Sequence, residues 1–199
     1  MRLYLVRHAE SVLNATRVVQ PPDTPLSEVG RAQAERIGAR LAGAGVARIV
    51  SSDLPRAVET AEAIARHTGA PLGFDADLQE RNYGAIRGTP YAALTEDIFG
   101  PDYVPPEGET WAAFHARVDR AWGRVLATAG EPGTLAVVTH GLVCWSILSR
   151  HVTAGNEPPA SMRFGNTSLS ILEGPTPWRA ALVDCTAHLD ADGRSGARV

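Results

Sequence analysis

Four side chains that could bind an anion each follow a short apolar run of the sequence: Arg7, His8, Arg56 and His140. An unpaired arginine or histidine is costly to bury, so these side chains belong at the ends of buried strands. In open α/β sheets, ligands bind in the crevice beyond the carboxyl ends of the strands. A polar turn after a strand explains the Arg7-His8 pair about equally well, and the repetition of the pattern favours a common site.

If the strands are parallel, these four side chains meet at one edge of the sheet. Like charges about 4 Å apart cost roughly 4 kcal/mol per pair at an effective dielectric constant of ~20. A cluster of this kind therefore needs an anion between its members. Phosphate is the natural choice, because arginine binds it bidentately and a helix N-terminus also attracts it.

The elements that must position these residues alternate between apolar runs and amphipathic segments. The sequence predicts strands over residues 3–6, 47–50, 71–74, 134–139, 168–172 and 179–183. It predicts helices that begin near Ser27, at Pro55, near Trp111 and near Leu142. This alternation is typical of an α/β fold with a mostly parallel sheet.

The chain has 199 residues, which suits a single domain over residues 1–199. Residues 10–25 are predicted to form a loop, because they contain Asn14 and three prolines. Residues 84–110 contain four prolines and several acids, and they have no arginine after residue 87, which predicts a small lid insertion. The tail from about residue 190 is small and polar, and we expect it to be disordered.

Charge and composition exclude several classes of function. A net charge of −3, from 22 acidic and 19 basic residues, gives no general attraction to nucleic acid. All 19 basic residues are arginines, so lysine Schiff-base chemistry and a Walker-type phosphate loop are excluded. No apolar stretch is long enough to span a bilayer, and Arg7 interrupts the first apolar run before it could act as a signal sequence. We expect a cytoplasmic protein without a membrane partner.

Cys144 and Arg150 have the spacing of the nucleophile and the arginine in cysteine phosphatases. Such a site needs a loop of exposed backbone amides around the phosphate, whereas residues 144–150 are mostly apolar, lack glycine and are predicted to be helical. A buried structural cysteine is the expected role. Together with Cys185, the chain has two cysteines, which is too few for a disulfide framework.

Five segments in the same order resemble the signature of the histidine phosphatase superfamily, the phosphoglycerate mutase-like proteins. They are residues 5–11 (LVRHAES), 24–27 (TPLS), 51–57 (SSDLPRA), 78–80 (LQE) and 138–141 (VTHG). The set covers most of the chain, whereas an isolated Arg-His pair would be unspecific. The resemblance implies a three-layer α/β/α fold around a mostly parallel central sheet.

The resemblance also implies a role for each residue of the motifs. His8 is the nucleophile that forms a phosphohistidine, which requires a neutral imidazole with one bare nitrogen. Glu80 is the general acid and base, which requires a raised pKa, although Glu80 alone could be an exposed loop acid. Arg7, Arg56 and His140 hold the phosphoryl oxygens during the transfer. No metal and no cofactor are expected.

Four further residues complete the predicted substrate-binding set: Ser11, Asn14, Tyr83 and Asn166. Asn14 is expected to add a neutral donor to the phosphate site. Asn166 lies in a segment that resembles a late family segment near the phosphate, and a turn before a strand explains it nearly as well.

The substrate is predicted from the lid and from the missing basic residues. In the mutases of this family, extra basic residues hold the substrate carboxylate, but here Tyr91 replaces a lysine and residues 88–116 contain no arginine. We therefore favour metal-independent hydrolysis of a small-molecule phosphomonoester. Because Arg17, Arg81 and Arg87 lie nearby in the sequence, this substrate could still carry further negative charge. The alternatives are mutase-type phosphoryl transfer and a non-catalytic phosphate-binding module.

Half of the twelve aromatic residues lie between Tyr83 and Phe114. We expect some of Tyr83, Tyr91, Phe99 and Tyr103 to line the entrance and to admit an apolar or aromatic ester, with packing of the lid as the alternative. The protein is expected to have no nucleic-acid partner, and a homodimer is left open.

Overall fold

A computed structural model describes residues 1–128, 134–155, 162–174 and 177–192, and these residues form a mixed sheet of seven strands with helices on both faces. The strands are β1 (Arg2–Arg7), β2 (Val46–Ser51), β3 (Leu72–Phe74), β4 (Thr134–Thr139), β5 (Val152–Gly155), β6 (Leu169–Glu173) and β7 (Trp178–Cys185). The helices are α1 (Val12–Ala15), α2 (Glu28–Leu41), α3 (Pro55–Thr68), α4 (Trp111–Thr128) and α5 (Gly141–His151). Short 3₁₀ helices span Ala76–Leu78, Gly84–Ile86, Tyr91–Ala93 and Ala187–Asp192.

The strand order in the sheet is β3-β2-β4-β1-β6-β7-β5. The first four strands in this order run parallel, β6 is antiparallel to both of its neighbours, and β5 is parallel to β7. The predicted α/β fold with a mostly parallel central sheet is therefore confirmed. Because β1 and β4 are neighbours near the centre of the sheet, the residues that follow them emerge side by side.

Two apolar clusters cover the two faces of the sheet. Leu3 and Leu5 of β1 join the cluster under α4 and α5, whereas Tyr4 and Val6 join the cluster under α2 and α3. This alternation follows from the strand geometry, which points successive side chains to opposite faces. The three layers predicted for the fold are thus present, and Arg7, His8 and His140 lie where β1 and β4 of the middle layer end.

The structure differs from the predicted elements in three places. Residues 12–15 form a helical turn inside the predicted loop, because Ser11 and Asn14 make a reciprocal capping box. Strand β5 follows α5 without a connecting turn, and its four residues gave no strand signal of their own. Residues 187–192 form a 3₁₀ helix, and residues 193–199 of the predicted tail lie outside the described residues.

A search of the helices in the described ranges found none that is both long enough and apolar enough to cross a bilayer.

Candidate functional site

The centre of the site is the sheet edge at which β1 and β4 end. Arg7 lies opposite Thr139 in the parallel ladder, so His8 and His140 follow the two strands at the same level. The backbone N–H of His8 donates to the Thr139 carbonyl at 2.8 Å, which extends the ladder by one step. The two imidazole rings have their centroids 5.0 Å apart. The register of one strand pair thus brings two distant histidines into contact.

His8 is held as a neutral imidazole with a defined tautomer. Its Nδ1 lies 2.7 Å from the carbonyl oxygen of Ala9, and a carbonyl can only accept, so Nδ1 carries the proton. Burial holds the pKa of His8 well below its usual range, and the Arg56 and Arg7 guanidiniums lower it further. The other ring nitrogen, Nε2, therefore keeps its lone pair. This is the state that a histidine nucleophile needs.

Two buried arginines line the same cleft as His8. Arg7 ends β1 and donates to the Phe164 carbonyl, and Arg56 lies in the first turn of α3 and donates to the Pro21 and Pro22 carbonyls at 3.4 Å each. The Nε groups of both arginines have no acceptor among the described residues. Burial lowers the pKa of Arg56 to about 10, so it stays charged at neutral pH. Both side chains retain donors for an anion.

His140 is oriented by a serine that follows β2. Its Nε2 lies 2.9 Å from the hydroxyl of Ser52, which already accepts from the Leu54 N–H at 3.3 Å. The serine hydroxyl is best satisfied by donating to Nε2, which places the imidazole proton on Nδ1. Burial and the nearby Arg56 hold the pKa of His140 well below its usual range. The ring is therefore neutral, and its Nδ1 has no partner among the described residues. His140 does not line the cleft itself and lies behind it, against the His8 ring.

Asn14 reaches the cleft from the short helix α1. Its Oδ1 accepts from the backbone N–H of Ser11 at 3.3 Å and from Nδ2 of Asn166 at 3.2 Å, so its own amide N–H groups are left for a ligand. Asn166 also donates to the His8 carbonyl at 3.2 Å. Ser11 and Asn166 do not line the cleft themselves. They fix the backbone and the side chain of residues that do.

Glu80 lines the cleft from the loop that follows the first 3₁₀ helix. Its two carboxyl oxygens accept from the backbone N–H groups of Arg81 at 2.9 Å and Leu142 at 3.3 Å. Burial raises the pKa of the Glu80 carboxyl, although both backbone bonds favour the ionised form. The Thr139 hydroxyl donates to the Leu78 carbonyl at 2.7 Å and ties this loop to the end of β4. Glu80 therefore lies in the same cleft as His8, and not on an exposed loop.

The cleft has a volume of about 280 Å³, which suits a small molecule. Some of the residues that line it were not singled out by the sequence: Gln20, Gln79, Glu109, Arg117, Met162, Arg163 and Phe164. Arg117 had a detectable signal, since it follows the buried Phe114 by three positions on α4 and therefore points inward. The others come from loops, where no periodic pattern marks the face that a side chain takes.

The lid aromatics divide into two groups. Tyr91 and Phe99 line the cleft, and their rings stack with centroids 6.3 Å apart. Tyr83 and Tyr103 do not line it, and Tyr83 instead packs beneath the Arg81 guanidinium at 5.6 Å. Tyr83 is therefore a buried residue beneath Arg81 and does not reach the cleft.

Arg17, Arg81 and Arg87, which the sequence suggested could bind further charge on a substrate, have different environments. Arg81 donates to the carbonyls of Ile98, Tyr103 and Glu109, so its donors are used within the protein. Arg17 does not line the cleft. Arg87 does line it, and the described residues give its side chain neither an acceptor nor an acidic partner.

Cys144 is buried in α5, and burial raises the pKa of its thiol. This environment agrees with the expected structural role and differs from that of a reactive cysteine. In the described part of the chain, no group of three or more histidine, cysteine, aspartate or glutamate side chains is placed to hold a metal ion.

Comparisons with known proteins identify the family of the chain and its fold. The sequence profile of the histidine phosphatase superfamily (branch 1) matches residues 3–183. A curated relative from Yersinia pestis (strain Pestoides F), a probable phosphoglycerate mutase GpmB, is 32% identical over 206 aligned positions, which cover 96% of this chain and 95% of the relative.

Two solved structures have the same fold over nearly their whole length. Bacillus stearothermophilus YhfR superposes with a TM-score of 0.83 at 28% identity and covers 95% of this chain and 99% of its own. The mycobacterial glucosyl-3-phosphoglycerate phosphatase in complex with VO3 superposes with a TM-score of 0.79 at 28% identity and covers 91% of this chain and 97% of its own.

Proposed function

The chain belongs to the histidine phosphatase superfamily, and we propose that it is a phosphomonoesterase that hydrolyses a small-molecule phosphate through a phosphohistidine on His8. One observation carries the proposal. A neutral imidazole with a bare Nε2 lines the same cleft as two buried arginines and a carboxyl group of raised pKa. This combination provides a nucleophile, charge stabilisation and a proton donor in one place.

In the first step, Nε2 of His8 attacks phosphorus and the bond from phosphorus to the ester oxygen breaks. Nδ1 keeps its proton and its bond to the Ala9 carbonyl. The protonated Glu80 gives its proton to the leaving oxygen, so the product departs as a neutral alcohol. Arg7 and Arg56 neutralise the charge on the phosphoryl oxygens during the transfer.

In the second step, water attacks the phosphohistidine. The Glu80 carboxylate takes a proton from that water, the new bond from phosphorus to oxygen forms, and the bond to Nε2 breaks. His8 returns to a neutral imidazole and Glu80 returns to its protonated form. A raised pKa suits both roles, because Glu80 must hold a proton in one step and accept one in the other.

A second candidate is mutase-type transfer to a sugar acid. Arg87 and Arg163 favour it, because they line the cleft without an acceptor or acidic partner among the described residues and could hold a carboxylate. Tyr91 in the position of the mutase lysine favours hydrolysis, and the stacked pair Tyr91 and Phe99 favours an apolar or aromatic leaving group. We give preference to hydrolysis. A non-catalytic phosphate-binding module would be expected to lack one of the catalytic groups.

The experiment that tests the proposal is phosphate release from 4-nitrophenyl phosphate, repeated with 3-phosphoglycerate and with a chelator present. Hydrolysis predicts release of inorganic phosphate that the chelator leaves unchanged. A mutase would interconvert phosphoglycerates with little release, and a binding module would do neither. Activity that is lost in chelator and restored by added metal would contradict the metal-independent scheme.

The sequence alone predicts a cytoplasmic location and no nucleic-acid or membrane partner, and these stay predictions. A homodimer is left open. Size-exclusion chromatography with light scattering would determine the oligomeric state.

A further inference from the structure

Arg117 lies on α4, outside the motifs that mark the site, yet its guanidinium ends at the loop that carries Glu80. Its side chain is 14% exposed. NH1 donates to the carbonyls of Asp77 at 2.9 Å and Gln79 at 2.6 Å, and NH2 donates to the carbonyl of Glu80 itself at 2.9 Å. One side chain therefore holds three carbonyls of the short segment that presents the proposed acid.

The remaining donors of Arg117 bind Glu109 at the end of the lid insertion. Nε donates to Oε2 at 3.0 Å, and NH2 donates to Oε1 at 2.6 Å. Oε1 of Glu109 also accepts from the backbone N–H of Asn82 at 2.7 Å, and the backbone N–H of Glu109 donates to the Asn82 carbonyl at 2.9 Å. Arg117 and Glu109 thus fasten the backbone on both sides of Glu80.

This arrangement uses all five N–H donors that a guanidinium has. Lysine has one compact charge and three donors, so it cannot reproduce five contacts in a fixed plane. Surface ion pairs contribute little, but a partly buried pair with these additional hydrogen bonds constrains the geometry of everything attached to it. We call Arg117 and Glu109 the clasp.

We propose that the clasp positions Glu80, so that its carboxyl lies where the leaving oxygen departs. Arg117 does not touch the reacting atoms in this account, and it acts through the backbone of residues 77–82. The inference rests on the proposed function, because it assigns a role within that reaction. A displacement of about 1 Å at a reacting group can cost a hundredfold in rate, so the clasp has a measurable consequence.

The consequence depends on the leaving group. An aliphatic alcohol leaves poorly without a proton from Glu80, whereas 4-nitrophenol leaves well as an anion. A loosened clasp should therefore slow an alkyl phosphate much more than an aryl phosphate. A general loss of structure would slow both equally. The quantity to compare is kcat/KM, because it reports the steps up to release of the alcohol and excludes hydrolysis of the phosphohistidine.

The test compares wild type and Arg117→Lys on butyl phosphate and 4-nitrophenyl phosphate. We expect kcat/KM for butyl phosphate to fall at least ~10-fold more than kcat/KM for 4-nitrophenyl phosphate. Arg120→Gln is the matched control, since Arg120 lies on the same helix, is 59% exposed and, within the described ranges, binds only the Asp77 carboxylate. It should leave both values unchanged.

If Arg117→Lys does not fold, Glu109→Gln is tested in its place, because it weakens the same clasp. It should show the same dependence on the leaving group. Thermal unfolding of each variant identifies losses that come from instability. Equal losses on the two esters, or no loss, would overturn the positioning role while leaving the phosphatase proposal intact. A wild-type protein that is inactive on both esters would remove the proposed function and the clasp with it.

Discussion

The two ends of the cleft are constructed in different ways. At the end that we propose binds phosphate, Arg7 and His8 lie at the end of β1 and Arg56 lies in the first turn of α3, and the register of β1 and β4 fixes the distance between His8 and His140. At the leaving-group end, the wall consists of the Glu80 loop and the lid, and arginine side chains hold it through backbone carbonyls. In the proposed reaction, phosphate binding would therefore depend on the sheet, whereas the position of Glu80 and the choice of alcohol would depend on side-chain contacts that can change independently.

Removal of the proposed nucleophile is the most severe test of the proposed phosphate end. We expect His8→Ala to lower turnover of every ester by about 10⁴-fold or more, because both half-reactions pass through this imidazole. Phosphate release measures the effect, and His67→Ala, a change at a histidine that pairs with Glu35 away from the cleft, is the control. Turnover that survives in His8→Ala would show that a different group attacks phosphorus.

Removal of the acid tests the other end and depends on pH. Glu80 must hold its proton in the first step, so kcat/KM for butyl phosphate should fall as the pH rises through its pKa, which burial has raised. Glu80→Gln should lower that value by about 10²- to 10⁴-fold and abolish this alkaline limb. Comparing both proteins on the same ester cancels the ionisation of the substrate. An alkaline limb that persists unchanged in Glu80→Gln would mean that another group supplies the proton.

Ser52→Ala should loosen the orientation of His140 at the phosphate end. Loss of the hydroxyl removes the partner of the buried Nε2 of His140 and of the Leu54 N–H, and because the His140 ring lies against that of His8, we expect kcat/KM to fall by about 10-fold. The alkyl and aryl esters should be affected equally, because the phosphoryl group is common to both. A loss confined to one ester would contradict the division of the cleft into two ends.

The smallest expected effect concerns the stacked pair Tyr91 and Phe99, which lines the cleft. Tyr91→Ala should lower kcat/KM for 4-nitrophenyl phosphate relative to butyl phosphate by about 3- to 10-fold, as expected for the loss of one aromatic contact. Phe74→Ala is a suitable control, since Phe74 is 53% exposed and does not line the cleft. An unchanged ratio would assign Tyr91 to packing of the lid alone.

The sequence predicted the phosphate end because its residues belong to elements with strong local patterns. Arg7 and His8 end an apolar run, and Arg56 follows Pro55 in a first helical turn, so each position can be inferred from its own neighbours. The parallel order of the strands then brings these positions together.

The same reasoning did not reveal how the site residues are supported. Asn166 donates to the carbonyl of His8 across 158 positions of the sequence, and Arg117 binds the Glu80 carbonyl across 37 positions. Tyr83 and Tyr91 lie eight positions apart in the chain, yet of the two only Tyr91 lines the cleft. Contacts of this kind depend on how loops pack in three dimensions, and no local spacing encodes them.

The most direct test of the central claim is to identify the residue that carries phosphorus during turnover. The wild-type protein is mixed with a radiolabelled phosphate ester, quenched in alkali within milliseconds to seconds, digested and mapped. The account predicts one phosphoryl group on the peptide that contains His8, stable in alkali, lost in acid and absent from His8→Ala. Label on a different residue, or turnover without any labelled peptide at every quench time, would contradict it.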